Sequence, residues 1–217
     1  MKKLILSISA LALASNAYAA PPEGVATEAT QKANAEVAAR LPIADQTDFE
    51  NANRGFLAKI EKPILNEDGS VSWDPNQFQF MTGNAPDTVN PSLWRQGKLN
   101  SIHGLFEVVP GIYQIRGYDL AQMTLIAGKT GWIVIDPLTT PAPAKAGLEL
   151  ANKTLGERPV AAVLFTHSHG DHFGGVAGVA SQADVQSGKV PIIAPHGFLA
   201  ESVGESVIAG TAMNRRV

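Results

Sequence analysis

The chain of 217 residues is 45% hydrophobic and 17% charged, enough apolar material for one sizeable core and too little length for several large domains. Seventeen Lys and Arg against 20 Asp and Glu leave a net charge of −3, so no basic field exists to draw nucleic acid. The absence of cysteine excludes disulfides, thiolate-bound zinc, a cysteine nucleophile and a lipid-bearing cysteine, and leaves any metal site to His, Asp or Glu.

Residues 1–19 read as a secretory signal peptide. Lys2 and Lys3 form a positive start, Leu4 to Ala14 an apolar stretch, and Ala17-Tyr18-Ala19 a small-x-small cleavage site. The stretch reaches about half of the roughly 20 apolar residues that a membrane span needs, so no span is expected. Removal of residues 1–19 takes away two lysines and no acid, moving the net charge from −3 to −5. A leader of this kind predicts a periplasmic or secreted protein.

Residues 20–100 read as an N-terminal arm lying on the body. Glu23 to Arg40 is rich in Ala, Glu, Gln and Lys and free of Gly after Gly24, which favours a helix without a strong apolar stripe. A second helix is predicted over Thr47 to Lys59, where Phe49, Ala52, Phe56 and Leu57 share a face. Pro63, Asp68-Gly69 and Asp74-Pro75 punctuate the next stretch, and Phe78 to Phe80 with Asn84, Pro86 and Pro91 suggest extended, looped chain.

Residues 101–217 change character. Leu105 to Val109, Ile112 to Arg116, Met123 to Ala127 and Trp132 to Ile135 are short strands separated by turns, an antiparallel meander. A helix is predicted from Pro143 to Leu155, then a strand from Val160 to Phe165, a Gly-rich helix start near Phe173 and a buried strand at Val190 to Ala194. Strands first and then alternation of helix and strand give an α/β fold with a mixed sheet.

Directly after the strand ending at Phe165 stands Thr166-His167-Ser168-His169-Gly170-Asp171-His172, with three of the chain's five histidines and an aspartate in six residues. Loops at the C-terminal ends of strands are where α/β sheets place their ligands. His167 and His169 can project the same way from extended backbone, and a turn at Gly170 brings Asp171 and His172 to a second point beside the first. Four such side chains fit zinc or a similar divalent ion and suit a two-metal cluster, whereas a solvated polar turn does not call for this density. His103 and His196 are isolated and read as structural. Asp136 closes a strand ahead of the motif; it either hydrogen-bonds a ligand histidine or serves only the strand-ending turn, and the turn is the preferred reading.

The motif resembles the H-x-H-x-D-H signature of the metallo-β-lactamase superfamily, whose fold is an αββα sandwich around a dinuclear metal site. Three further stretches resemble the secreted alkylsulfatases of that superfamily: Asn90 to Gln96 leading to Ile102 through Phe106, Gly111 to Asp119, and Thr130 to Leu138. Ala209 to Arg216 is similar too, so the likeness runs from about Phe49 to the last residue. It implies zinc-dependent hydrolysis of linear primary alkyl sulfate esters, such as dodecyl sulfate, to alcohol and sulfate. It also implies Zn2+, two per complete site, with His167 and His169 on one and Asp171 and His172 on the other, and a homodimer at full length.

The 45 residues after His172 hold one His, His196, and two Glu, Glu201 and Glu205, none of which resembles the later ligand segments of the family. The expectation is therefore the first half of the sandwich, with apolar sheet surface left exposed and no turnover by this chain alone. The competing expectation is a non-catalytic metal-binding chain, complete as it stands. Other hydrolases of the superfamily, acting on lactams, thioesters or lactones, share the motif but not the stretch from Asn90 to Asp119.

Overall fold

The computed structural model describes residues 24–213 and residue 215, so the predicted signal peptide lies outside it. Among the described residues no helix is long and apolar enough to cross a membrane. The first helix, α1 (Glu28–Arg40), starts where Thr27 accepts a hydrogen bond from the Thr30 amide, and it buries no residue.

Helix α2 (Thr47–Asn53) stops well short of the predicted Lys59, and Phe56–Ala58 is instead a strand, β1, paired with the sheet edge. The cause is Gly55. It sits at φ 75°, and a Cβ there would lie 2.0 Å from the Glu107 carbonyl oxygen, so the chain must leave the helix and run along the sheet. A two-stranded ribbon comes next, β2 (Ile64–Leu65) and β3 (Val71–Trp73). Residues read as looped chain contain a third helix, α3 (Pro91–Asn100). The Asn90 side chain accepts from the Ser92 and Leu93 amides, and Pro91 occupies the first helical position, where a missing N–H costs nothing. Here proline marks a helix start and not a loop.

The meander stands as predicted: β4 (Gly104–Val109), β5 (Ile112–Arg116), β6 (Met123–Ala127) and β7 (Trp132–Ile135) pair antiparallel in sequence order. Helix α4 (Pro141–Leu155) then crosses over to β8 (Val160–Leu164), which lies parallel to β7. Strand β9 (Ile192–Ile193) adds parallel to β8, closing a seven-stranded mixed sheet of order β1-β4-β5-β6-β7-β8-β9. The α/β fold with a mixed sheet is thus observed.

The register explains the core. Leu105 faces Ile115, which faces Met123, and Leu125, Val134 and Val163 are aligned across β6, β7 and β8. All six are essentially buried, and α4 covers that region with Ala144, Gly147 and Ala151. Gly147 lets α4 sit close to the sheet: a Cβ there would meet the Ile115 side chain at 3.0 Å and that of Met123 at 3.1 Å. The alternate positions, Ile133 and Ile135 among them, are only half buried.

Two expectations in the second half need correction. No helix begins near Phe173; two short 3-10 turns, Gly170–His172 and Val176–Gly178, stand there. Gly174, Gly175 and Gly178 press so closely on the carbonyls of Thr139, Pro137 and Pro141 that a Cβ at each would fall 2.0–2.2 Å from oxygen, a contact that dictates the local path. The strand predicted over Val190 to Ala194 shrinks to β9, whose isoleucines are 38% and 52% exposed, because it forms the outer strand; only Val190 is buried.

Tyr118 ties the early segment to the body. Its hydroxyl accepts the Ile60 amide at 2.6 Å, and burial pushes its pKa up to about 12, partly offset by that hydrogen bond. A raised folded-state pKa means that the associated stability is complete below the ordinary value of 10 and is lost as pH rises through about 12. Chemical denaturation between those pH values is expected to show a steeper loss for the natural chain than for Tyr118→Phe, by up to about 1.4 kcal/mol per pH unit.

Candidate metal centre

Strands β7 and β8 run parallel and end side by side, with the Asp136 amide donating to the Leu164 carbonyl at 2.9 Å. This places Asp136 beside Thr166, 30 residues later. At the end of β7 the backbone turns left-handed twice, at Asp136 (φ 52°) and Leu138 (φ 65°), a conformation that costs a non-glycine residue roughly 1–2 kcal/mol. Strain of this kind persists only where surrounding contacts fix it. Gly175 supplies one such contact, its amide donating to the Leu138 carbonyl at 2.8 Å.

The Asp136 carboxylate is buried and receives three donors. Oδ1 accepts the Thr166 amide at 2.8 Å; Oδ2 accepts the Thr166 hydroxyl at 2.6 Å and His172 Nδ1 at 2.9 Å. With its proton given to Asp136, Thr166 Oγ1 can only accept from His167 Nδ1, 2.9 Å away. One carboxylate therefore sets both histidines in the tautomer that leaves Nε2 with a free lone pair. Asp136 does both things that the sequence left open: it shapes the turn and it holds a histidine.

The 3-10 turn at Gly170–His172 folds the loop back, so the His172 ring lies 4.1 Å from the His167 ring, centre to centre, and the His169 ring lies 4.6 Å from His167. Asp171 Oδ2 stands 3.4 Å from His172 Nε2. Of the four motif side chains, His167 and His172 come together with Asp136, while His169 and Asp171 flank them outside that group. The tightest group of donor atoms among the described residues, all within 4.8 Å, is Asp136, His167 and His172. Asp136 holds its place in that group as an anchor, since its oxygens are already taken by three donors. Imidazole nitrogens with free lone pairs, flanked by a carboxylate, are the donor set that suits a divalent ion such as zinc.

A second support comes from outside the motif. Helix α5 (Phe198–Val203) continues into a π turn, Gly204–Ile208, and contacts the loop at three points. Phe198 stacks on Phe165 at 5.4 Å and meets Phe173 edge-on at 5.2 Å, gripping both ends of the motif. The Ser202 hydroxyl donates to the Ser168 carbonyl at 3.2 Å, and Glu205 Oε1 lies 3.4 Å from His169 Nε2. Sequence reasoning missed this support; the signal available for it is the spacing of Phe198, Ser202 and Glu205, one face of a helix.

The remaining histidines lie elsewhere. His103 hydrogen-bonds the Ser101 carbonyl and packs on Tyr118, and His196 is exposed. Arg95 pairs with Asp48 at 2.8 Å and lies over Phe49, Trp94 donates to the Gly83 carbonyl, and Asn84 borders a cleft beside α1. A larger cleft of about 800 Å3, walled by Trp73, Phe78, Phe80, Met81 and Arg116, contains none of the motif's side chains.

The profile of the metallo-beta-lactamase superfamily matches residues 116–211. A linear primary-alkylsulfatase of Pseudomonas sp. is 48% identical over 214 residues, 97% of this chain and 32% of that protein. An (R)-specific secondary-alkylsulfatase of Pseudomonas sp. is 49% identical over 192 residues, 88% of this chain and 29% of its own length. The solved structure of the stereoselective inverting sec-alkylsulfatase Pisa1 from Pseudomonas sp. superposes with a TM-score of 0.83 at 49% identity, covering 88% of this chain and 30% of that one. The chain spans about a third of the length of the curated relatives it matches.

Asp136→Ala leaves the Thr166 and His172 donors without an acceptor. It is expected to lower stability by about 1–3 kcal/mol in urea unfolding and to weaken zinc binding about 10–100-fold by calorimetry.

Proposed function

We propose that this chain, a metallo-β-lactamase superfamily member through residues 116–211, is the N-terminal part of a zinc-dependent alkylsulfatase that acts on linear primary alkyl sulfates such as dodecyl sulfate. The observation that carries the proposal is the likeness to alkylsulfatases over nearly the whole chain, motif included. The relatives include a linear primary-alkylsulfatase at 48% identity and an (R)-specific secondary-alkylsulfatase at 49%, so the primary-alkyl preference is the finer part of the proposal. The reaction consumes one water and returns the alcohol, sulfate and a proton.

In this reading His167 and His169 hold one zinc and Asp171 and His172 the other, two ions per complete site. Bound zinc supplies Lewis acidity and makes water a competent nucleophile near neutral pH. The chain's own residues position that chemistry. Asp136 fixes His172 directly and His167 through Thr166, so two nitrogens face the same space without reorganisation when the ion arrives. The reading includes export after removal of residues 1–19 and a homodimer at full length.

Relatives about three times as long support the view that ligands and substrate pocket are shared with further sequence, and that this chain alone binds zinc without turnover. Two assays with dodecyl sulfate test the proposal, each reading sulfate by ion chromatography. The 217-residue chain with zinc is expected to release none, and steady release would overturn the division of the site. The chain extended by the downstream coding sequence of its source gene is expected to release sulfate and to lose that activity with His167→Ala. An extended, zinc-loaded protein that is inert to alkyl sulfates would overturn the substrate class.

A further inference from the structure

We propose that the cleft at the C-terminal end of β5 is a binding site for a single-chain anionic amphiphile, separate from the metal centre: the Arg116 guanidinium takes the sulfate or carboxylate head, and the apolar wall takes the alkyl chain. The site needs no metal, so it stands or falls apart from the zinc reading.

The wall is built by the N-terminal arm against the sheet. Trp73, Phe78, Phe80 and Met81 come from β3 and the chain after it, and Leu99 and Ile102 from the end of α3 and the turn beyond. With the end of β5 they border a space of about 800 Å3. That volume, and an apolar lining with a few polar groups, are usual for sites that bury a small organic molecule. Trp73 Nε1 donates to the Gly117 carbonyl at 3.0 Å, which ties β3 to the chain just beyond β5. Phe80 is 68% exposed and packs edge-on against Trp94, so part of the cleft's border is apolar and open.

Two charged side chains reach the cleft, and only one is available to a ligand. The Asp119 carboxylate already accepts the amide and the hydroxyl of Thr139. Arg116 has no such partner. Its Nε donates to Gln114 Oε1 at 2.9 Å and its Nη1 makes a long contact with the Ala52 carbonyl at 3.5 Å, while Nη2 has no acceptor and is not sealed in by protein. No carboxylate among the described residues pairs with it. Gln114 and the Phe106 ring, 4.5 Å from the guanidinium carbon, hold the group in place. Burial lowers its pKa from the ordinary guanidinium value, yet the group stays charged at any neutral pH. A half-buried cation without a counter-ion favours an oxyanion, and the adjoining apolar wall favours one that carries a hydrocarbon tail.

The test uses the 217-residue chain freed of metal with EDTA, with every ligand kept below micelle-forming concentration. Decyl sulfate and decanoate are expected to bind by calorimetry, about tenfold more tightly than their eight-carbon homologues, and decyltrimethylammonium more weakly than either. Binding of only one anion supports the site and identifies its head group; binding of neither overturns the proposal. Arg116→Gln is expected to weaken the anions about 10–100-fold and to leave decanol unchanged. Gln122→Trp puts a bulky side chain at an exposed position of the lining and is expected to block the anions without moving the urea midpoint. A diazirine-bearing decanoate is expected to label residues 73–81 and 97–102. Anion binding untouched by both substitutions overturns the proposal. So does binding that requires added zinc, or labelling confined to residues 167–172, either of which places the head group on the motif loop instead.

Discussion

The geometry of the centre depends on one buried carboxylate. Asp136 accepts a backbone amide, a hydroxyl and an imidazole, and through the hydroxyl it also governs a second imidazole. A buried carboxylate is costly unless its oxygens are filled, and here every donor that fills them belongs to Thr166 or the loop beyond it. The interaction that makes the aspartate tolerable is therefore the one that positions the ligands. Folding and site formation are the same event at this point.

Everything upstream serves to bring β7 and β8 to a common end. A parallel pair needs a crossover, and α4 provides it while covering the buried row of the sheet. Because α4 begins only a few residues after Asp136, the connection is short and must bend sharply, which is where the left-handed residues Asp136 and Leu138 arise. The loop after the motif then packs glycine backbone against this bend: Gly174 on Thr139, Gly175 on Pro137 and Gly178 on Pro141. Side chains at these glycines would lift the loop off the bend and carry His172 away from Asp136. The glycines that read in the sequence as the start of a helix are the surface of closest contact.

That dependence on distant contacts separates the legible residues from the others. Strands β6 and β7 of the meander alternate buried and half-buried residues with period two, a local signal, and the meander is legible from its short β-branched runs and turns. The four motif side chains stand out in the sequence because their density in six residues has no ordinary structural use, and two of them, His167 and His172, meet in the structure. Asp136 was visible as a strand-ending aspartate, but its three donors lie 30 and 36 residues away, and only the parallel pairing of β7 with β8 brings them near. The helix after the loop was harder still. Its polar residues read as solvated surface, and only the contacts of Phe198 and Ser202 place it on the loop. The misplaced helix end at Gly55 has the same origin: the residue that forbids helix there does so through a contact with Glu107, far along the chain.

The centre is unequal in its support. On the sheet side, His172 is held by Asp136, whose side chain is only 10% exposed, and by the backbone of a strained turn that packing has fixed. On the outer side, His169 is more than half exposed and rests against a helix whose own outer residues, Leu199, Val207 and Ile208, are largely exposed. The sheet side is organised around the paired ends of β7 and β8. The outer side rests on few buried contacts, so it opens at lower free energy than the core. The two nitrogens governed by Asp136 are therefore ready before any ion arrives, whereas the position of His169 varies with how firmly the helix beside it is seated.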